Sequence, residues 1–270
     1  MFDRGIEIKT PAQIEVMRAA GLVVGKTLEL LRNTVKAGMT TRELDAVAHE
    51  YILSLGATSN FLGYYGFTGV VCTSVNEEVV HGIPGDRILG DGDLVSIDCG
   101  AIVDGWHGDA ATTVAIGEVP DEVRALMRVT EESLWRGIAA ASLGGKVGDI
   151  SDAVQTYIDS QGSYGIVEGY TGHGIGSAMH MEPAVPNQGR RGRGAKLVKG
   201  MALAVEPMVA LGTADTYTLE DEWTVVTADG SWAAHYEHTF TLTDEGTWVL
   251  TALDGGQAKL AELGVRFGGH

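Results

Sequence analysis

Basic residues are scarce in this sequence, with 19 lysines and arginines against 36 aspartates and glutamates. The formal net charge is −17, so nucleic acids and anionic membranes repel the chain at long range. We therefore expect no direct nucleic-acid specificity and no membrane association. A cationic substrate, by contrast, would be attracted.

Long hydrophobic runs are also missing. No stretch of about 18 consecutive apolar residues occurs, which argues against a membrane-spanning helix. The N-terminus, MFDRGIEIKTPAQ, lacks the basic region followed by an apolar region that marks a secretory signal. Both absences predict a cytoplasmic protein.

Cysteine is nearly absent, since the chain contains only Cys72 and Cys99. Two cysteines cannot build a disulfide framework, and their spacing does not match a zinc knuckle. Both are predicted to be buried free thiols. A cysteine hydrolase is an alternative, but Cys99 follows Asp98 and would face the opposite side of a strand from it. Such an enzyme would also leave the acidic residues described below without a role.

The 270 residues suffice for one large domain or two medium ones. Helices are predicted where capping residues, apolar periodicity and glycine stops coincide. They start at Thr10 and at Thr40, cover about 121–141, and run from near Asp149 to Gly162. Strand-like segments fill about 67–117 and return from about 166.

The order of two helices followed by strands therefore occurs twice. The segments LDAVAHEYILSLG at 44–56 and SDAVQTYIDSQG at 151–162 also resemble each other, and each reads as a helix that ends at glycine. This repetition predicts an α+β protein built from a duplicated unit, with a site between the halves. We expect one catalytic domain over 1–270, with pseudo-repeats at about 10–117 and 120–253.

One predicted hairpin, VSIDCGAIVDGWHGDAATTVAIG from residue 95, carries two carboxylates among apolar and small residues. The dipeptide Asp104–Gly105 favours a two-residue turn. That turn pairs Asp98 with Ala111 and sets Asp109 diagonally across on the same face, about 7 Å away at the backbone. The two carboxylates can therefore converge on one point.

Other acidic residues and histidines stand in similar apolar or glycine-rich surroundings. They are Glu206 in ALAVEPM, Glu237 in HYEHTFTL, His173 in TGHGIG, His81 in VVHGIPG and His180 in AMHMEP. If the four acids share one site, their mutual repulsion is roughly 20 kcal/mol at an effective dielectric constant of about 20. That exceeds the stability of a typical domain, about 5–15 kcal/mol, so the site must bind cations or keep protons. Oxygen ligands with one imidazole suit two divalent transition ions.

Taken in order, six segments resemble the motifs of the type I methionine aminopeptidases of peptidase family M24. They are SVNEEVVHGIPG, SIDCGAIVDGWHGDAATT, GYTGHGIG, AMHMEP, AVEPM and YEHT, and the resemblance covers about 8–253. It implies the duplicated pita-bread (creatinase/aminopeptidase) fold, with the metal site between two pseudo-symmetric halves. No zinc-binding extension precedes the motifs, and the interval from Glu206 to Glu237 has no room for the helical insertion of type II. The chain therefore resembles the short bacterial form.

The ligand set implied by this resemblance is Asp98, Asp109, His173, Glu206 and Glu237. Asp109 and Glu237 are expected to bridge two divalent ions, either cobalt, manganese, iron or zinc. Asp98 would hold one ion, and His173 with Glu206 the other. Water between such ions can lose its proton near pH 7, so that metal-bound hydroxide attacks the scissile carbonyl.

The resemblance also implies three catalytic residues. Glu206 is expected to help take the proton of the water. His81 would pass a proton to the leaving amine, and His180 would stabilise the carbonyl oxygen. The predicted activity is removal of the initiator methionine from nascent proteins and peptides whose second residue is small.

The methionine side chain is expected in a pocket whose aromatic and sulfur-bearing residues suit a thioether. Besides the two catalytic histidines, its residues are Phe61, Tyr64, Phe67, Cys72, Met179 and Trp223. Position 179 is more often phenylalanine in the family and position 61 is often smaller. The pocket is therefore expected to differ in shape from that of its relatives.

Three other functions are alternatives. A proline-specific dipeptidase or aminopeptidase shares the fold but usually carries an extra N-terminal domain. A binding protein with this fold would have no chemical need for five ligands and two further histidines. A mononuclear iron oxygenase requires two histidines and one acid as ligands, not one histidine and four acids.

Among the remaining histidines, His107 shares strand parity with Asp109 but has no implied role, and His49 and His270 are expected at the surface.

One segment departs from the acidic composition. GRRGRGAKLVKG at 189–200 carries Arg190, Arg191, Arg193, Lys196 and Lys199. It is either a solvated basic loop or a place of transient contact with the ribosome. The other expected partners are N-terminal methionyl peptides and nascent chains, and the protein is expected to be a monomer.

Overall fold

A computed structural model describes residues 5–270. Residues 1–4 lie outside the described residues. They are part of the N-terminal segment that lacks the pattern of a secretory signal, and of the predicted domain 1–270. The helices of the described part are α1 (Pro11–Thr34), α2 (Thr41–Ser54), α3 (Asp121–Ala140), α4 (Val147–Gln161) and α5 (Gln257–Glu262). None of them is long and apolar enough to cross a membrane.

The helix boundaries follow local signals in the sequence. The Thr10 hydroxyl accepts a hydrogen bond from the Gln13 N–H at 3.3 Å, and Gln13 Oε1 accepts one from the Thr10 N–H at 2.8 Å. Thr40 and Glu43 form the same reciprocal pair before α2. α4 begins slightly before the predicted Asp149, because this carboxylate accepts the N–H three residues before it and closes the first turn. The four predicted helices are confirmed; α5 was not predicted, since six residues are too few for a periodic pattern.

The described strands are short except for one long hairpin. They are β1 (Thr58–Ser59), β2 (Val71–Val75), β3 (Glu78–Val80), β4 (Leu94–Val103), β5 (Trp106–Ala115), β6 (Gly165–Ile166), β7 (Gly172–Gly174), β8 (Met181–Val185), β9 (Ala202–Val205), β10 (Met208–Ala210), β11 (Thr216–Thr218), β12 (Val225–Thr227), β13 (Ala233–His235), β14 (Glu237–Leu242) and β15 (Thr247–Val249). Within residues 5–270, nine of them form one antiparallel sheet in the order β1-β4-β5-β14-β9-β7-β8, with β2 beside β4 and β15 beside β14. Two three-stranded sheets, β13-β10-β6 and β11-β12-β3, complete the α+β architecture.

The α+β class predicted from the sequence is confirmed, and two helices precede the strands in each half of the chain. The domain limits and the boundaries of the pseudo-repeats stay a prediction.

The hairpin of β4 and β5 has the predicted register. Asp98 is opposite Ala111, and Asp109 lies two positions further toward the turn. The turn residues Asp104 and Gly105 have φ values of 48° and 79°, the left-handed conformation of a type I′ turn. A one-residue slip would have turned both carboxylates to the opposite face.

The helices cover the face of the sheet that lies opposite the carboxylates. Ile97, Cys99 and Ala110 join α1 and α2 in one buried cluster. Since side chains alternate along a strand, Asp98 of β4 and Asp109 of β5 project from the other face. Cys72 and Cys99 are both buried free thiols, as predicted. α3 and α4 pack in a second cluster against β9 and β14.

Candidate metal centre

Strand register brings three carboxylates together. Ala111 of β5 is opposite Asp98 of β4 on one side and opposite Glu237 of β14 on the other. Opposite residues of antiparallel strands project from the same face, and Asp109 projects from it two residues along β5. One oxygen of each of these three carboxylates lies within 4.8 Å of the others.

Glu206 and His173 reach the same place from two further strands. Glu206 directly follows β9, which pairs with β14, and so comes beside Glu237. His173 lies between the two glycines of β7. A Cβ added to Gly172 would lie 2.3 Å from the carbonyl oxygen of Ala204, so only glycine lets β7 approach β9 this closely. His173, Glu206 and Glu237 each offer one ligand atom within 4.8 Å of the others.

The carboxylates are buried without enough partners. Asp109 and Glu237 are 3% and 2% exposed. Among residues 5–270, one oxygen of each of Asp98, Asp109 and Glu237 is buried and accepts no hydrogen bond. Burial raises the pKa of Asp98 to about 7, and burial with the neighbouring carboxylates raises the pKa values of Asp109, Glu206 and Glu237 well above the ordinary range. The group therefore needs protons or cations.

A hydrogen bond decides which nitrogen of His173 can bind a cation. Nδ1 lies 2.9 Å from the carbonyl oxygen of Gly174, which can only accept, so Nδ1 carries the proton. Burial lowers the pKa of His173 to about 4, so the ring is neutral near pH 7 and Nε2 keeps a lone pair. That nitrogen lies 3.5 Å from Glu206 Oε1. Two electron-rich atoms facing each other in a buried site fit a divalent cation.

A cavity of about 100 Å³ opens beside the carboxylates. Every residue predicted for the site lines it: Phe61, Tyr64, Phe67, Cys72, His81, Asp98, Asp109, His173, Met179, His180, Glu206, Trp223 and Glu237. Edge-to-face contacts join the aromatic walls, since the ring centroid of Phe67 lies 6.4 Å from that of Phe61 and 5.1 Å from that of Trp223. The structure thus unites residues that are distant in the sequence.

The two further histidines of the cavity differ in depth. His81 is half-buried and has a φ of 63°, an uncommon value outside glycine. Burial, with a smaller effect of His180, lowers its pKa to about 4. His180 is exposed at the mouth, and its ring centroid lies 4.4 Å from that of His173. Ring nitrogens of His180 and His173 also lie within 4.8 Å of an Asp109 oxygen.

One residue at the site, His235, was not predicted from the sequence. It is 1% exposed, and its Nε2 lies 3.9 Å from Glu206 Oε2. In the part of the chain that the structure describes, this nitrogen has no hydrogen-bond partner. Its position two residues before Glu237, in HYEHTFTL, was the available signal. His49 and His270 are exposed, as predicted.

The chain is similar to known proteins over most of its length. Residues 15–244 match the model of metallopeptidase family M24. The methionine aminopeptidase of Clostridium acetobutylicum is 51% identical over 91% of this chain and 98% of its own length. A crystal structure of methionine aminopeptidase from Rickettsia prowazekii has a TM-score of 0.89 at 40% identity, over 91% of this chain and 99% of that one. The prolidase from Pyrococcus furiosus, at 21% identity, shares the fold with a TM-score of 0.72 over 90% of this chain and 65% of its own.

Proposed function

Because the chain belongs to metallopeptidase family M24, and within it to the methionine aminopeptidases, we propose that it removes the N-terminal methionine from nascent proteins and peptides with a small second residue. One observation carries the proposal. Four carboxylates, two buried and two half-buried, converge with a neutral imidazole in a cavity whose other walls are aromatic and sulfur-bearing. The structural matches to methionine aminopeptidases confirm the predicted pita-bread fold.

The residues proposed to hold the metal are the five predicted ligands. Asp109 and Glu237 each offer a ligand atom within 4.8 Å of Asp98 in one group and of His173 in another, which supports a bridging role for both. Asp98 would complete one site, and His173 with Glu206 the other. The donor set suits two divalent ions of manganese, iron, cobalt or zinc. When bound, such ions lower the pKa of a water and polarise a carbonyl group.

The chain's own residues supply the proton transfers and the orientation. Glu206, itself one of the proposed ligands, would accept the proton of the attacking water. His81 is neutral near pH 7, so it can hydrogen-bond the scissile nitrogen. The proton that Glu206 takes from the water would be relayed through His81 to this nitrogen as the C–N bond breaks, so His81 ends the step neutral. His180, at the mouth, would donate to the carbonyl oxygen.

The methionine side chain would occupy the apolar end of the cavity. Phe61, Phe67, Cys72 and Met179 form a buried cluster, and Tyr64 and Trp223 pack against it. Aromatic faces and sulfur atoms contact a thioether favourably. The free amino group of the substrate would meet the acidic cluster, which attracts a cation.

The proposal is tested with metal-stripped protein titrated with manganese or cobalt. We expect release of free methionine from Met-Ala-Ser to depend on the metal, and an X-Pro dipeptide to resist cleavage. Cleavage of the X-Pro peptide alone would favour the proline-specific function, whose known members share the fold. Metal binding without cleavage of either peptide would favour a binding role.

We also propose that the basic segment 189–200 makes a transient contact with the ribosome. The protein is proposed to act as a monomer in the cytoplasm. Arg190, Arg191 and Arg193 are exposed. Backbone hydrogen bonds hold the segment against α4, as the Gly148 N–H donates to the Arg193 carbonyl oxygen at 2.9 Å. The chain has a net charge of −17, so an anionic partner is repelled by most of it and attracted by this basic segment.

Changing the three arginines to glutamine should lower co-sedimentation with ribosomes and reduce its salt dependence, while activity on Met-Ala-Ser stays unchanged. The matched control changes Lys26, Lys36 and Arg42, which are exposed elsewhere, to glutamine. Equal loss in both variants would indicate a general charge effect and contradict the proposed contact.

A further inference from the structure

Two histidines at the site face hydrogen-bond partners of opposite kind. The carbonyl oxygen that faces His173 Nδ1 can only accept a hydrogen bond. The group that faces His180 Nδ1 is the Tyr64 hydroxyl, at 2.8 Å, and a hydroxyl can donate. The two rings, 4.4 Å apart, can therefore carry their protons on different nitrogens.

The direction of the hydrogen bond follows from the strengths of the two acceptors. Burial raises the pKa of Tyr64, so its hydroxyl keeps the proton. A neutral His180 ring has one unprotonated nitrogen, and Nδ1 is the ring nitrogen that lies 2.8 Å from the hydroxyl. That nitrogen is a better acceptor than a phenol oxygen, because its lone pair is more basic. The hydroxyl therefore donates to Nδ1.

The backbone around Tyr64 fixes where the hydroxyl points. The Tyr64 N–H donates to the Phe61 carbonyl oxygen at 2.9 Å, and the Tyr64 carbonyl oxygen accepts from the Phe67 N–H at 2.9 Å. Gly63 has a φ of 85°, which lets the chain turn this tightly. The ring also has an edge-to-face contact with Tyr65, with centroids 4.7 Å apart. The hydroxyl is thus presented to His180 by a constrained loop.

We infer that Tyr64 is a positioning residue: its hydroxyl donates to His180 Nδ1, sets the proton of the ring on Nε2, and leaves that N–H free to donate within the cavity. The inference depends on the proposed function in one respect, that the acceptor is the carbonyl oxygen of a methionyl peptide. A preset donor stabilises the negative charge that develops on this oxygen during attack.

The same hydrogen bond prevents His180 from acting as a metal ligand. One of its ring nitrogens lies within 4.8 Å of an Asp109 oxygen and of a His173 nitrogen, close enough for the three to share an ion. An Nε2 that carries a proton has no lone pair for a cation, whereas His173 has the opposite tautomer and does. Tyr64 thus assigns donor and ligand roles to two neighbouring imidazoles.

The first test reads the tautomer directly by nitrogen-15 NMR of the histidine rings in the zinc-loaded protein. We expect His180 to carry its proton on Nε2 in the unchanged protein, and a measurable Nδ1–H fraction to appear in Tyr64→Phe. The matched control is Tyr65→Phe, which removes a hydroxyl from the exposed neighbouring ring. It should leave the His180 signals unchanged.

The second test is kinetic, on Met-Ala-Ser. Tyr64→Phe keeps the ring in the pocket, so KM should stay within about threefold while kcat falls about tenfold, less than the loss from deleting an oxyanion donor outright. In a double-mutant cycle with His180→Asn, which has no imidazole to orient, the Tyr64→Phe change should have little further effect. Tyr65→Phe should not change kcat.

Several outcomes would overturn the inference. They are an Nδ1–H tautomer of His180 in the unchanged protein, an unaltered tautomer in Tyr64→Phe, or additive losses in the cycle. The NMR result does not depend on activity. If the tautomer responds as expected but no methionyl peptide is cleaved, the proposed function fails while the role of Tyr64 in setting the tautomer stands.

Discussion

At the scale of the single residue, the protonation state and the neighbouring atoms give different roles to side chains of the same type. His173, His81 and His180 line one cavity, yet each has a different neighbour. His173 faces a carbonyl oxygen and His180 faces a hydroxyl. His81 makes ring contacts with Tyr170 and Trp223 at centroid distances of 5.6 and 6.1 Å. Of the three, only His173 has both the free lone pair and the carboxylate neighbours that a metal ligand needs.

His81→Ala should therefore keep its metal and lose turnover. We expect unchanged metal content by elemental analysis and a loss of kcat of about 100-fold, the lower end of the contribution of a proton donor. Asp98→Ala is the contrasting variant, because it removes a proposed ligand and should lose metal as well. An unchanged kcat/KM in His81→Ala would remove His81 from the mechanism.

Pocket shape gives a second prediction at this scale. Met179 is 3% exposed and shares a buried cluster with Phe61. A larger, stiffer ring overfills a packed cluster, so Met179→Phe should raise KM for Met-Ala-Ser about fivefold. Adding Phe61→Val makes room and should return KM to within about twofold. If the double variant were no better than the single one, the two side chains would not share the space proposed for the substrate.

At the scale of the element, the segment before α1 holds the loop that carries Met179 and His180. Glu7 Oε1 accepts from the Ser177 N–H at 3.2 Å, and Glu7 Oε2 accepts from the Ser177 hydroxyl. The same carboxylate lies 3.3 Å from Nζ of Lys9, whose side chain is only 2% exposed. The loop between β7 and β8 is thus tied to the N-terminal segment by one ionised group.

Glu7→Gln should destabilise the protein by about 2 kcal/mol, because it leaves a buried ammonium without its counter-charge. Urea unfolding of the metal-loaded protein measures this change. Lys9→Met in the same chain removes the unpaired charge and should recover most of the loss. Without that recovery, the charge pair would not be the cause of the destabilisation.

At the scale of the whole molecule, pH and metal act on the same carboxylates. In the metal-stripped folded protein these groups hold protons above pH 4, with the pKa of Asp98 at about 7, whereas the unfolded chain releases them near pH 4. The folded state then binds more protons than the unfolded state, so stability falls as pH rises through this range. Metal replaces the protons, and its affinity rises with pH.

The difference in Tm between metal-loaded and metal-stripped protein should therefore widen from pH 5.5 to pH 8. Each proton that the metal displaces contributes about 1.4 kcal/mol per pH unit. Differential scanning fluorimetry at several pH values, with EDTA in the stripped samples, checks this trend. A constant difference would mean that the carboxylates are already ionised without metal.

The sequence by itself determined much of this protein, because its signals are local. Capping residues at Thr10 and Thr40 began helices where predicted, and the Asp104–Gly105 turn set the register that brings Asp98 beside Asp109. Motif order, a property of the whole sequence, identified the family. The residue types of the five predicted ligands could also be read without coordinates.

Only the tertiary structure decided which atoms meet. The hydrogen bond from Tyr64 to His180, the approach of His235 to Glu206 and the tie of Glu7 to Ser177 join residues far apart in the chain. No turn or helix period encodes such contacts. They depend on how the segment before α1, the loop after β1, the loop between β7 and β8 and the strands β9 and β14 pack together, and long-range packing alone sets that arrangement.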